Sequence, residues 1–138
     1  MTRRVLLLVP LAACCHAADT AREVLDLIAD LASALSAGNV TLFLRAFDAK
    51  MPGFAKLRDN VTGLIAQGEV QSLIDPLEDE GDDRRRVAQF NWTLRLARGP
   101  QSASFARREQ VVKCTVEKQG GKWRIVDLEP IEFFAPQD

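Results

Sequence analysis

One alternating run constrains this chain more than any other. Ala88, Phe90, Trp92, Leu94 and Leu96 take every second position, with Gln89, Asn91, Thr93 and Arg95 between them. Successive side chains of a strand point to opposite faces, so this run predicts a strand with one buried and one wet face. A neighbour follows after the Gly99-Pro100-Gln101 turn: Ala106, Val112, Cys114 and Val116 share one face, with Arg108 and Gln110 as polar interruptions. Arg107, Glu109, Lys113, Thr115 and Glu117 lie opposite. Gly120-Gly121 then closes a hairpin into Trp123-Arg124-Ile125-Val126-Asp127-Leu128, and Ile131-Glu132-Phe133-Phe134 reads as the last piece of the sheet. Ahead of the central run, Glu69 to Leu77 reads as a strand with Val70, Ser72 and Ile74 on one side. Arg95 with Glu109, and Lys113 with Glu117, are expected as surface cross-strand pairs of small energetic weight.

A meander that is apolar on one face needs cover on that face alone. The preceding half supplies it. Thr20-Ala21-Arg22-Glu23 has the form of a capping box. Behind it Val24, Leu25, Ile28, Leu31, Ala32 and Leu35 recur at helical spacing. Gly38 is the expected C-terminal stop. Asn39 caps a second helix running through Asp48 with Leu42, Phe43, Ala46 and Phe47 on one face. Pro52 opens a third, with Phe54, Leu57, Val61, Leu64 and Ile65, ended by Gly68. Helices first and an antiparallel sheet second predict an α+β domain. At 138 residues, 47% hydrophobic and 27% charged, the chain suits one domain with one core.

The N-terminus is of another kind. Met1-Thr2-Arg3-Arg4 is a basic n-region and Val5 to Ala13 an apolar run broken by Pro10, the pattern of a secretory signal. We therefore divide the chain into a signal peptide, 1–17, and a domain, 18–138. Leu11-Ala12-Ala13-Cys14 resembles a bacterial lipobox, which would make Cys14 a lipidation site; cleavage after Cys15-His16-Ala17 is the alternative. Export to the periplasm or outer envelope is expected either way, with the membrane reached only through such a lipid anchor. Without Arg3 and Arg4, Lys+Arg falls from 18 to 16 against 19 acids, a formal charge of about −3. That balance leaves no electrostatic footprint for nucleic acid. Arg84-Arg85-Arg86 follows the acidic stretch Glu78–Asp83 and reads as a solvated hairpin tip. Asn-x-Thr triplets at Asn39, Asn60 and Asn91 are coincidental beside a bacterial-type signal.

Chemistry-bearing residues are scarce. The chain has no tyrosine, and its one histidine is His16. Cys114, between Val112 and Val116, reads as a small buried hydrophobe. No disulfide framework, metal site or phosphate-binding glycine loop is present, so no cofactor is expected.

Long hairpin strands after N-terminal helices, with Gly121-Lys122-Trp123-Arg124-Ile125, Leu128-Glu129-Pro130 and Phe133-Phe134 behind, resemble the nuclear transport factor 2-like (NTF2-like) superfamily. The spacing Leu35…Gly38-Asn39…Phe43-Leu44…Phe47 is similar as well. The resemblance spans nearly all of 19–136 and implies a cone in which a curved sheet wraps around helices. That superfamily holds enzymes, binders and structural modules. Its isomerase and dehydratase types depend on tyrosine or histidine, which this domain lacks. Its epoxide-hydrolase type needs an Asp-Arg-Asp arrangement, for which only Asp75, Arg108 and Asp127 can be put forward. The leading expectation is an exported, non-catalytic domain binding a small apolar ligand or an envelope protein, with Phe43, Phe47, Phe54, Phe90 and Trp92 lining the cone. Two alternatives stay open. One is a small lyase, isomerase or hydrolase using a buried carboxylate among Asp26, Asp48, Asp75 and Asp127. The other is a homodimer through the face bearing Gln89, Asn91, Thr93 and Arg95.

Overall fold

Helix α1 (Thr2–Ser36) ends where a glycine releases it. Gly38 sits at φ 70°, and the Gly38 and Asn39 amides donate back to the Leu35 and Ala34 carbonyls at 3.1 and 2.9 Å. These are the two bonds of a left-handed helix stop, open to residues without a Cβ penalty. The side chain of Asn39 then accepts from the Leu42 amide at 3.0 Å and starts α2 (Val40–Arg45). Helix α3 (Phe54–Ala66) follows, behind Pro52 and Gly53. In this computed structural model, residues 2–98 and 105–138 are described, with side chains for 19–97 and 105–138. The expected signal peptide, its lipobox and Cys14 lie outside the described side chains.

Strands β1 (Gly68–Gly81), β2 (Arg85–Arg98), β3 (Ala106–Gln119) and β4 (Lys122–Glu129) form one antiparallel meander in the order β1-β2-β3-β4. Gly120 and Gly121, at φ 57° and 82°, make the tight β3–β4 turn that needs positive φ at both central residues. A 3-10 turn, Ile131–Phe134, follows β4. The core lies between the inner sheet face and the helices. Ala88, Phe90, Trp92, Leu94 and Leu96 are all buried, opposite Val24, Ile28, Leu31 and Leu35 of α1. The far edge of β4 is met by the chain after α2: the Ile125 amide donates to Ala46 and the Asp48 amide to the Ile125 carbonyl, each at 2.9 Å. On the other edge, the Ser72 amide of β1 donates to Ser36 Oγ at 3.0 Å, so α1 itself satisfies part of that strand. Among the described residues no helix is long and apolar enough to cross a membrane.

Several local expectations are corrected. Thr20 does not begin a helix; it is buried inside α1, because the Leu- and Ala-rich run before it is already helical. Helix α2 ends at Arg45, and the chain then turns to bridge Phe47 to Ile125. Ile131–Phe134 is a 3-10 turn rather than a strand, since it follows Pro130 and buries Phe133 and Phe134 side by side. Strand β1 runs four residues past Leu77 to Gly81, because the acidic stretch pairs with β2. The register also sets Arg95 opposite Arg107 and Thr93 opposite Glu109. Glu109 accordingly pairs with Arg107 at 2.6 Å and with the Asn91 amide at 2.8 Å, while Glu117 pairs with Arg85.

Arg86 departs furthest from the solvated hairpin tip that its sequence suggests. It lies on the inner face of β2, two residues before Ala88, and is 6% exposed. Its Nε donates to Asp79 at 2.8 Å and its Nη1 to the Asp82 carbonyl at 3.1 Å. A buried guanidinium persists only when paired in this way.

Candidate functional site

Three of the five aromatic candidates meet inside the cone, around a residue that the sequence does not single out. Phe134, fully buried, stands edge-on to Trp92 with ring centroids 5.2 Å apart, to Phe43 at 5.7 Å and to Phe133 at 5.1 Å. Phe43 and Phe47 lie 5.3 Å apart. Tilted and edge-to-face contacts at these separations are the favourable arrangements for aromatic rings. Trp92 carries the one polar atom of the group, and its Nε1 donates to Ser72 Oγ at 2.7 Å. Phe134 therefore plugs the centre of the cone from the C-terminal side.

Phe54 is half-buried at the first residue of α3 and packs against the core rather than inside it. Phe90 is different again. It is buried at the floor of an open groove of about 310 Å3 between the Ala21–Leu25 stretch of α1 and the outer half of β1. Val24, Leu25, Pro76 and Leu77 supply the apolar walls, with Arg22 and Glu78 at the polar edge. The backbone explains the opening. The β1–β2 register slips between Pro76 and Glu78, so Leu77 is the extra residue of a bulge and stays 51% exposed. Proline has no amide to give to a ladder, which favours a break at this point.

The carboxylates do not converge. Asp26 and Asp75 are exposed, and Asp48 and Asp127 are half-buried on different elements. The Gln119 side-chain amide and the Lys50 backbone amide hold the Asp48 carboxyl below the usual carboxylate range. That is the wrong direction for a base poised near neutral pH. Asp75, Arg108 and Asp127 are not brought together either. Asp75 is on β1 and Asp127 on β4, the two edges of the sheet. Arg108 pairs in register with buried Leu94 on the inner side and donates to the Phe133 carbonyl at 2.7 Å. Burial pushes the Cys114 thiol up to about 12, so it is inert at neutral pH. Among the described residues no group of three His, Cys, Asp or Glu side chains is placed to hold a metal.

The face named for a homodimer carries Asn91 and Thr93, half-buried, and exposed Arg95, which sits 4.8 Å over the Phe105 ring. Leu73 and Val111 also stand open on that face, 63% and 47% exposed.

No protein-family model matches the sequence, and no curated protein is significantly similar to it. Solved structures are similar in fold. An NTF2-like protein from Salmonella enterica serovar Typhimurium is 15% identical, with 81% of this chain and 89% of that chain covered at a TM-score of 0.70. An NTF2-like protein with a cystatin-like fold from Novosphingobium aromaticivorans is 18% identical, with coverages of 88% and 86% at 0.68. A candidate scytalone dehydratase from the same organism is 12% identical, with coverages of 80% and 85% at 0.69. Helices laid on a curved four-stranded antiparallel meander, closed by an aromatic plug, give this chain the fold of the NTF2-like superfamily.

Proposed function

We propose that the chain is an exported, non-catalytic NTF2-like domain that binds a small apolar ligand in the groove between α1 and the β1 bulge. The observation that carries this reading is the pairing of a filled cone with an open apolar groove beside it. Phe90 forms the floor of that groove, and the exposed Leu77 and Leu25 flank its mouth. Binding sites are concave, mainly apolar and edged by a few polar groups, and Arg22 and Glu78 supply that edge here. The non-catalytic part is supported by the absence of tyrosine and by the scattered carboxylates. Export is supported by the basic and apolar N-terminal pattern, with Cys14 as the residue to be acylated.

N-phenyl-1-naphthylamine, a neutral apolar fluorophore, tests the site. At roughly 0.35 kcal/mol for each of its about 17 heavy atoms, binding near −6 kcal/mol and a Kd of some tens of micromolar follow. Leu77→Asp puts a charge on the groove wall at a half-exposed position and is expected to weaken binding at least tenfold with an unchanged Tm. Equal binding by the variant would reject the groove as the site.

A further inference from the structure

A second groove lies against the opposite flank of α1. With 100° between successive residues of a helix, Ala21 and Leu25 fall on one side of the buried Val24–Ile28–Leu31–Leu35 stripe, and Leu27 and Asp30 on the other. On that second side α1, α2 and the start of β4 enclose about 520 Å3, within the usual range of ligand sites of about 300–1,000 Å3. Leu27, Leu31, Leu42, Ala46 and Trp123 line its apolar part. Leu42 projects from α2 46% exposed although it belongs to the most apolar stretch of that helix.

The charge around this groove is one-sided. Arg45, Lys122 and Arg124 line it, against the single carboxylate Asp30. Arg124 donates its Nη1 to the Arg45 carbonyl at 2.9 Å, which ties β4 to the end of α2 beside the groove. Among the described residues neither Arg45 nor Lys122 has a carboxylate within ion-pair distance. Lys118 and Glu23, beside Trp123, answer each other at 3.5 Å and leave that balance unchanged. Arg124 also acts on the Asp48 carboxyl, so the cationic excess at the rim rests on Arg45 and Lys122. An apolar floor with that excess at its rim complements a molecule with an apolar chain and an anionic head.

We infer that this groove binds a single-chain carboxylate amphiphile of the fatty-acid class, its chain along Leu27, Leu42 and Trp123 and its carboxylate at the Arg45–Lys122–Arg124 rim. The site is separate from the α1–β1 groove and stands or falls independently of it. Dodecanoate and dodecyltrimethylammonium below their critical micelle concentrations, and dodecanol below its solubility limit, are titrated calorimetrically with the full chain. Saturable dodecanoate binding is expected, with dodecanol about tenfold weaker and the cationic amphiphile weaker still. Lys122→Glu and Arg45→Glu, both at exposed positions, should each weaken dodecanoate about tenfold while leaving dodecanol unchanged. Leu42→Asp should weaken both, and Leu77→Asp neither. Equal affinity for dodecanoate and dodecanol, or unchanged dodecanoate binding by the two charge-reversed variants, overturns the inference. Capture by phosphatidylglycerol vesicles without binding of monomeric dodecanoate also overturns it, in favour of a membrane surface.

Discussion

Replacing Phe134 by alanine should cost this protein more than its place near the C-terminus suggests. The ring is fully buried and touches Trp92, Phe43 and Phe133 within 5.1–5.7 Å. Truncating a buried phenylalanine typically costs about 3–5 kcal/mol, and each lost aromatic pair accounts for about 0.5–1.5 kcal/mol beyond area alone. With three ring partners, about 4–5 kcal/mol is expected for Phe134→Ala. Urea slopes for small proteins are about 1–3 kcal/mol/M, so the unfolding midpoint should fall by about 2 M. Trp92 fluorescence reports the transition, since its indole lies against the deleted ring. Phe54→Ala, at a half-buried position, is the control and should move the midpoint by less than half as much. The deletion should also open a dry apolar cavity, so that saturating benzene stabilises the variant and not the parent chain. A midpoint shift below about 0.5 M, or equal benzene effects on both proteins, would refute the idea that Phe134 fills the cone.

Further expectations follow from the polar groups. Arg86→Ala should destabilise by about 2–3 kcal/mol, less than for a fully buried pair because the Asp79 side chain keeps 25% of its exposure; adding Asp79→Ala should recover part of the loss in a double-mutant cycle. Alkylation with peptide mapping should find Cys114 unmodified in the native protein and modified only as the chain unfolds, because burial holds its thiol near 12. Asp82 accepts from the Arg84 and Arg85 amides, and these bonds lower its pKa in the fold. Its contribution is therefore present above the unfolded value of about 3.9 and is lost as pH falls through the folded value. Asp82→Ala should consequently lower stability at neutral pH and flatten the loss between about pH 5 and pH 2, measured by urea unfolding at each pH.

The parts of the fold that can be read from sequence are those decided by local chemistry. The alternation from Ala88 to Leu96 marks β2 because a strand's faces alternate whatever packs on them. Gly38 with Asn39, and Gly120 with Gly121, mark a helix stop and a hairpin because positive φ selects glycine. What escaped depends on partners distant in sequence. By alternation the inward position after Trp123 and Ile125 would be Asp127, yet the β3–β4 register slips at Val126 and hands the buried face from Ile125 to Leu128. Pro76 marks a weak point in β1, but that Leu77 is the extra residue is decided only when β2 is laid beside it. Arg86 reads as part of a basic run, and only the pairing of β1 with β2 brings Asp79 to it. The site shows the same division. Phe43, Phe47 and Trp92 can be assigned to the cone interior by spacing, but whether they surround space or one another depends on Phe134, which reads as a strand residue. The basic rim of the α1–α2–β4 groove joins residues nearly eighty positions apart, and no local pattern announces it.

The central claim is that an apolar molecule occupies the groove beneath Leu25 and Leu77 while the cone itself stays filled. Native mass spectrometry of the protein purified without detergent from its own host tests it most directly, with Leu77→Asp prepared in parallel. The account predicts a reproducible added mass on the parent chain that is absent from the variant. Bare protein in both preparations, or the same added mass on both, would contradict it.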